Sequence, residues 1–177
     1  MRMKHSNAFT PNVGILTVSD RCAQGEKADE SGPAIRRLIE AQEWHVRYTA
    51  LVPDEKPQII AELVHMADEL KLDVVLTTGG TGFGPRDMTP EATLAVVNRV
   101  ILGIPEMIRH QTAQANTRAW LSRAVAGLRK DTLIINLPGN PGGVKECLEV
   151  LLPLLPHALE MIQGKSHEES HIVPHHR

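Results

Sequence analysis

The fold of this chain is decided by one stretch, Val74-Val-Leu-Thr-Thr-Gly-Gly-Thr-Gly-Phe-Gly-Pro-Arg-Asp-Met-Thr-Pro-Glu-Ala92. Its first three residues form an apolar, β-prone run that predicts a buried strand. Four glycines follow, Gly79, Gly80, Gly82 and Gly84, and glycine lets the backbone adopt positive φ and approach a ligand closely. Thr89 then offers an N-cap hydroxyl, and Pro90 suits the first helical position. A strand, a glycine loop and a helix start in this order predict an anion site at the carboxyl edge of a sheet.

The glycine loop matches neither common phosphate-binding motif. It lacks the Gly-Lys-Ser/Thr of a Walker A loop, and its glycine spacing differs from Gly-x-Gly-x-x-Gly. Arg86 and Asp87 stand where a P-loop would carry lysine. A carboxylate beside a phosphate needs a divalent cation between them, and carboxylate oxygen suits Mg²⁺. Alternatively, Asp87 only caps backbone N–H groups in a tight turn, and the glycines alone do not separate these two interpretations.

The composition excludes several classes of protein. A chain of 177 residues that is 42% hydrophobic and 23% charged can bury the core of one domain. Its formal net charge of −2 and its few aromatic residues argue against nucleic acid as a partner. Cys22 and Cys147 make no disulfide framework and indicate a reducing compartment. With no signal-like or membrane-length apolar stretch, we expect a cytoplasmic protein without a membrane partner.

Helical and strand patterns alternate along the chain. This order predicts an α/β fold with a mostly parallel sheet covered on both faces. The predicted strands are 13–18, 45–52, 74–76, 124–128 and 132–137, the last two forming a hairpin. The predicted helices start at 31–33, 59, 89 (to about 100), 105 (to 119) and beyond 143, the last interrupted at Pro153 and Pro156. The weakly patterned apolar residues Ile104, Met107 and Ile108 suggest a self-association surface.

Four polar loops follow the predicted strands and should converge at one sheet edge, where open α/β folds bind ligands. They are Ser19-Asp20-Arg21, Pro53-Asp54-Glu55, Gly79–Asp87 and Pro138–Gly143. Asp54 is open to two interpretations. It is either the N-cap of the next helix or, together with Asp87, a ligand for a metal or phosphate.

These segments resemble the molybdopterin adenylyltransferases, the bacterial molybdenum-cofactor proteins related to the G domains of gephyrin and its plant counterpart. The resemblance covers about Val13 to Gly164, nearly the whole chain, in order, and the set of motifs is highly specific. The matching segments are 77–93, Leu16-Thr-Val-Ser-Asp20, Asp29-Glu-Ser-Gly-Pro33, Val52-Pro-Asp-Glu55, Leu121-Ser-Arg123 and Leu133-Ile-Ile-Asn-Leu-Pro-Gly-Asn-Pro141.

The resemblance implies a three-layer α/β/α sandwich of the molybdopterin-binding type, assembled as a homotrimer. It also implies a reaction in which ATP and molybdopterin give adenylylated molybdopterin and pyrophosphate with Mg²⁺. Asp54 and Asp87 would be the catalytic pair and hold the metal. The nucleotide side would comprise Ser19, Asp20, Gly79, Gly80, Thr81 and Gly82, and the molybdopterin side Ser122, Arg123, Asn136, Pro138, Gly139 and Asn140. A transient contact with the molybdenum-insertion protein is also expected.

Two alternatives to the enzyme are a molybdopterin-binding protein without catalysis and a structural scaffold. Non-catalytic relatives tend to lose one or both of the matching aspartates or the Arg-Asp step, whereas this chain keeps Asp54, Arg86 and Asp87. We expect residues 1–12 to be loose, residues 13–164 to form the domain and residues 165–177 to be a disordered tail. The tail carries four histidines, His167, His171, His175 and His176, which favour adventitious metal capture over a physiological site.

Overall fold

A computed structural model describes residues 9–164 of the chain. Its six strands form one sheet in the order β2-β1-β3-β6-β5-β4. The first four strands in this order are parallel, β5 pairs antiparallel with β6, and β4 pairs antiparallel with β5 at the edge of the sheet. The mostly parallel sheet and the antiparallel hairpin are therefore confirmed. The strands are β1 Asn12–Val18, β2 His45–Val52, β3 Val74–Thr78, β4 Arg99–Val100, β5 Ala126–Arg129 and β6 Thr132–Leu137.

Helices cover both faces of the sheet and make the predicted three layers. They are α1 Asp20–Ala23, α2 Ser31–Glu40, α3 Lys56–Val64 with a π turn at His65–Glu69, α4 Thr89–Val96, α5 Gly103–Thr112, a 3₁₀ helix at Thr117–Leu121, α6 Pro141–Leu151 and α7 Leu155–Ile162. The predicted interruption near Pro153 and Pro156 is confirmed, because α6 ends and α7 begins there.

The side chains of strand β6 alternate between the two faces of the sheet and contribute to two separate hydrophobic clusters. Leu133, Ile135 and Leu137 pack into a cluster with α2, α5, α6 and α7, while Ile134 faces α3 and α4. All four side chains are fully buried. Burial of each aliphatic side chain contributes about 1.5–3 kcal/mol to stability. A shift of one residue in strand pairing would turn these side chains to the wrong face, so the two clusters favour a single register for the central strands.

Two local predictions in this part of the chain are wrong. Helix α4 ends at Val96, not near Val100, because Asn98 N–H donates to Leu128 O and draws Arg99 and Val100 into a short edge strand. The segment 105–119 is not one helix: α5 ends at Thr112, and the Asn116 side chain caps a separate 3₁₀ helix.

The prediction that Ile104 and Ile108 lie at a self-association surface is also wrong, and Met107, the third residue predicted there, is half-buried. Ile104 and Ile108 are buried in the core of the monomer, where α5 packs against α6. The exposed apolar side chains of this region lie just before α5, at Val100 and Leu102.

Predictions for the chain ends fall mostly outside the described residues. Strand β1 begins at Asn12, one residue earlier than predicted, and residues 1–8 are not described. The four tail histidines also lie outside residues 9–164. Within that range, no helix is both long and apolar enough to span a membrane.

Candidate active site

Two cavities lie at the carboxyl edge of the parallel strands, on either side of the glycine loop. The first, about 230 Å³, is lined by residues that include Lys27, Asp54, Gly80 and Asp87, and we call it the acidic cavity. The second, about 380 Å³ and more apolar, is lined by residues that include Thr81, Gly82, Arg109, Arg118 and Ser122. The loop thus contributes Gly79 and Gly80 to one cavity and Thr81 and Gly82 to the other.

Two glycines of the loop cannot be replaced without strain. Gly79 has a φ of +100°, and a Cβ there would lie 2.1 Å from the carbonyl oxygen of Val18. Gly80 has a φ of +63°, and its Cβ would lie 2.4 Å from Thr89 Oγ1. Positive φ and close backbone approach therefore both require glycine here, as the sequence predicts.

Asp54 is not the N-cap of α3. Glu55 occupies that position, and the Asp54 carboxylate instead turns back to α1, where Oδ2 accepts the N–H of Asp20 at 2.8 Å. Asp20 Oδ1 in turn accepts the N–H of Asp54 at 3.0 Å. Burial raises the pKa of Asp54, and the negative charges of Asp20 and Asp87 raise it further. A cation in the acidic cavity would relieve that repulsion.

Asp87 closes a turn, which is one of the two roles that the sequence left open, and it also faces a cavity, as the metal-binding role would require. Its Oδ2 accepts the N–H of Gly84 at 2.8 Å, so the carboxylate does close a tight turn. The side chain also lines the acidic cavity with Asp54. A Cβ on Gly82 or Gly84 would lie 2.8 Å from Asp87 Oδ2, so these glycines leave room for the carboxylate.

Arg86 does not replace the lysine of a P-loop. Its guanidinium donates to both carboxylate oxygens of Asp20, at 3.0 Å each, and lies 2.7 Å from Glu55 Oε1. The hydrogen bond from Arg86 lowers the pKa of Asp20. Asp20 was predicted on the nucleotide side. In the structure, its side chain accepts hydrogen bonds from the loops that follow β2 and β3, and so links them to the loop after β1. Ser19, from the same segment, lines the acidic cavity and caps α1.

Lys27 lines the acidic cavity, and sequence reasoning missed it. It forms no ion pair with any residue in 9–164, so its charge is available to an anion in the cavity. Nearby Asp29 is already engaged, because it accepts the Thr17 hydroxyl and the N–H groups of Ser31 and Gly32. The available signal was a lone lysine in the loop between β1 and α2.

Arg123 holds the glycine loop in place. Its Nε donates to Gly82 O at 2.7 Å, its Nη2 donates to Asp87 O at 2.6 Å, and its Nη1 pairs with Glu91. Its backbone N–H also donates to Thr81 O at 3.0 Å. The guanidinium that was predicted to bind substrate is therefore occupied by the loop that carries Asp87.

The other residues predicted on the molybdopterin side divide between the cavities. Ser122, Asn136, Pro138 and Asn140 line the second cavity, and Gly139 lines the acidic cavity. Asn136 is buried, and its amide group is bonded within the protein: the NH₂ donates to Thr77 and Thr93, and the oxygen accepts the N–H of Val125. The Ser122 hydroxyl accepts one N–H, from Ala124 at 3.2 Å, and can still donate to a ligand.

Both cysteines are free, one at each cavity. Burial raises the pKa of Cys147 to about 12, which keeps it a neutral thiol in the wall of the second cavity. No group of three or more His, Cys, Asp or Glu side chains within residues 9–164 is arranged as a metal cage. Asp54 and Asp87 both line the acidic cavity, and carboxylate oxygen is the type of ligand that Mg²⁺ takes in proteins.

Comparisons with known proteins identify the family of this chain. Residues 14–157 match the family described as probable molybdopterin binding domain. A molybdopterin adenylyltransferase of Helicobacter pylori J99 is 41% identical over 88% of this chain and 89% of its own. The molybdenum cofactor synthesis protein cinnamon of Drosophila melanogaster is 41% identical over 92% of this chain, which spans 29% of that longer protein.

A solved structure supports the same assignment. The molybdopterin biosynthesis enzyme MoaB from Thermus thermophilus superposes with a TM-score of 0.84 and 47% identity, covering 88% of this chain and 98% of its own. The three-layer sandwich, the glycine loop and these similarities lead to one conclusion: the chain belongs to the molybdopterin-binding domain family.

Proposed function

We propose that this protein is a molybdopterin adenylyltransferase, which transfers AMP from ATP to the terminal phosphate of molybdopterin. The observation that carries the proposal is the pair of cavities that meet at the glycine loop. A transferase for two substrates needs two neighbouring sites with the reacting atoms between them. The name of the Helicobacter pylori relative supports this activity.

We assign ATP and Mg²⁺ to the acidic cavity. Asp54 and Asp87 would hold the ion, which neutralises phosphate charge when bound. Lys27 supplies a further positive charge, and Ser19, Gly79 and Gly80 shape the wall against which the phosphates lie. The charged residues that line the acidic cavity are Asp29, Glu30, Asp54, Asp87 and Lys27. Without a cation, the phosphates of ATP would therefore face these acidic side chains with only the Lys27 ammonium to attract them.

We assign molybdopterin to the second cavity. Arg118 and Arg109 bring positive charge to this cavity, and its apolar wall suits a flat heterocycle. Arg109 also donates to Ser122 O and Ala124 O, at 3.2 and 3.0 Å, and so fixes the segment that carries the Ser122 hydroxyl.

The reaction then requires no protein nucleophile. An oxygen of the molybdopterin phosphate attacks the α-phosphorus of ATP, the α–β phosphoanhydride bond breaks, and pyrophosphate leaves with the electron pair. The protein contributes position and charge complementarity. Arg123 matters here because it fixes the loop between the two substrates.

The test is to incubate the protein with molybdopterin, ATP and MgCl₂ and to measure adenylylated molybdopterin and pyrophosphate. We expect both products in equal amounts, and neither without MgCl₂. Tight molybdopterin binding without AMP transfer would instead identify a non-catalytic binding protein of the same fold.

The proposal includes a homotrimer in the cytoplasm that passes its product to a molybdenum-insertion protein. Exposed Leu94 in α4, Val100 in β4 and Leu102 just before α5 support self-association because they leave apolar surface in water. Sedimentation at micromolar concentration should show three times the 19.5 kDa chain mass. A stable monomer would contradict this part of the proposal.

A further inference from the structure

Thr89, the first residue of α4, carries a buried hydroxyl without a partner. The residue is fully buried, and Oγ1 forms no hydrogen bond within residues 9–164. Other buried threonines differ: the hydroxyls of Thr17, Thr78, Thr112 and Thr132 each donate to an oxygen at 2.6–2.7 Å. A buried, unbonded hydroxyl is costly, so its retention requires an explanation.

The orphaned hydroxyl lies close to Asp54, on the far side of Gly80. The point where a Cβ on Gly80 would stand is 2.4 Å from Thr89 Oγ1 and 3.0 Å from Asp54 Oδ1. Because Gly80 has no side chain, no Cβ occupies the position that lies next to both the hydroxyl and the carboxylate. Asp54 Oδ2 already accepts the N–H of Asp20, whereas Oδ1 accepts none of the hydrogen bonds found among the described residues.

The N-cap prediction for Thr89 does not explain this hydroxyl. Met88 holds the cap position, and the N–H of Thr89 is already bonded to Gly80 O at 3.1 Å. The same bond ties the first turn of α4 to the glycine loop. A ligand that shifts this loop would therefore move the Thr89 hydroxyl relative to Asp54.

We propose that Thr89 is a positioning residue: when ATP occupies the acidic cavity, its hydroxyl donates to Asp54 Oδ1 and fixes the orientation of that carboxylate. This inference rests on the proposed function of the cavity. The hydrogen bond is made only in the ligand-bound protein, so the free protein carries the orphaned hydroxyl. Thr89 then favours binding and turnover at the expense of stability in the free state.

The test compares Thr89→Val, Thr89→Ser and Thr132→Val with the wild type. Valine has the shape of threonine without the hydroxyl. Thr132, whose hydroxyl donates to Leu72 O at the opposite end of the sheet, is the matched control. The measurements are the Tm of the ligand-free protein, the affinity for ATP with MgCl₂ by calorimetry, and kcat and KM for AMP transfer.

We expect Thr89→Val to keep or raise Tm, while ATP affinity falls about ten- to hundredfold, as for loss of a hydrogen bond to a charged group, and kcat falls with it. Thr89→Ser should restore most of the loss. Thr132→Val should lower Tm and leave kcat unchanged. The inference is overturned if Thr89→Val binds and reacts as the wild type does, if it loses as much Tm as Thr132→Val, or if serine fails to rescue.

The proposed function can fail separately. A wild-type protein that forms no adenylylated molybdopterin would refute the activity. Calorimetry would still decide the role of Thr89, because a positioning donor must affect binding of ATP with MgCl₂. An unchanged affinity in Thr89→Val would then refute the positioning role as well.

Discussion

Replacing Asp54 by Asn removes one charge from the acidic cavity and leaves its size almost unchanged. The amide oxygen can still accept the N–H of Asp20, which the carboxylate accepts at 2.8 Å, so the fastening between the first two loops should survive. Burial and the charges of Asp20 and Asp87 raise the pKa of Asp54, so its negative charge is unfavourable in the free protein. The stability of ligand-free Asp54→Asn should therefore equal or exceed that of the wild type.

Catalysis should respond in the opposite direction. Loss of one preorganised electrostatic contact is typically worth about 3–4 kcal/mol, or roughly 10²–10³ in rate. Asp87→Asn should lose a similar factor in rate. Its turn should survive, because the amide oxygen can still accept the N–H of Gly84. The double variant should be less than additive, since both side chains would serve one metal–phosphate assembly.

The assay is AMP transfer at saturating ATP, molybdopterin and MgCl₂, with unfolding followed by denaturant titration. Asp131→Asn, at the β5–β6 turn outside both cavities, is the control for charge removal and should keep the wild-type rate. Molybdopterin affinity should change less than about threefold in either variant, roughly 0.6 kcal/mol. Normal turnover in both single variants would refute the assignment of this pair to catalysis.

Three further predictions follow from single contacts. Gly80→Val should abolish ATP binding and spare molybdopterin binding, because any Cβ at φ +63° meets Thr89 Oγ1; calorimetry with each ligand tests this. Ser122→Ala should weaken molybdopterin binding by about 0.5–1.5 kcal/mol and leave ATP affinity unchanged in the same titrations; equal losses for both ligands would contradict the two-cavity assignment. Asp68→Asn should destabilise the protein at neutral pH, because hydrogen bonds from Arg129 and Lys130 lower the pKa of Asp68. That stabilisation exists above the unfolded pKa and is lost as the pH falls through the folded pKa, so denaturant titrations of both proteins should converge in acid.

The sequence predicted the structure best where the local backbone or burial pattern restricts a position to one type of residue. Gly79 and Gly80 require positive φ, and the apolar alternation of β6 requires two covered faces, so the loop and the layers were both predictable. Strand β4 was not predictable, because two exposed residues carry no periodic signal and pair only through distant β5.

Side-chain roles that depend on tertiary contacts were out of reach. Arg123 meets Gly82 and Asp87 from 41 and 36 residues away, and no local pattern reveals that its guanidinium is occupied there. Lys27, by contrast, is a cation without an ion-pair partner among residues 9–164, and the sequence does not reveal which cations lack a partner. Thr89 was predicted as an N-cap because the residue type fits that role, and its actual environment depends on the path of the glycine loop.

The loops of the site are joined to one another by hydrogen bonds and ion pairs, in addition to the strands that precede them. Asp20 and Asp54 bond reciprocally, Arg86 bridges Asp20 and Glu55, and Arg123 holds the loop that carries Asp87. These contacts fix the backbone around the acidic cavity, while Lys27 keeps its charge unpaired within the described part of the chain. A site built in this way needs little reorganisation when charge develops on a phosphate, which is how electrostatic preorganisation lowers a barrier. Loosening a fastening residue such as Arg123 should therefore reduce kcat more than it weakens the binding of either substrate.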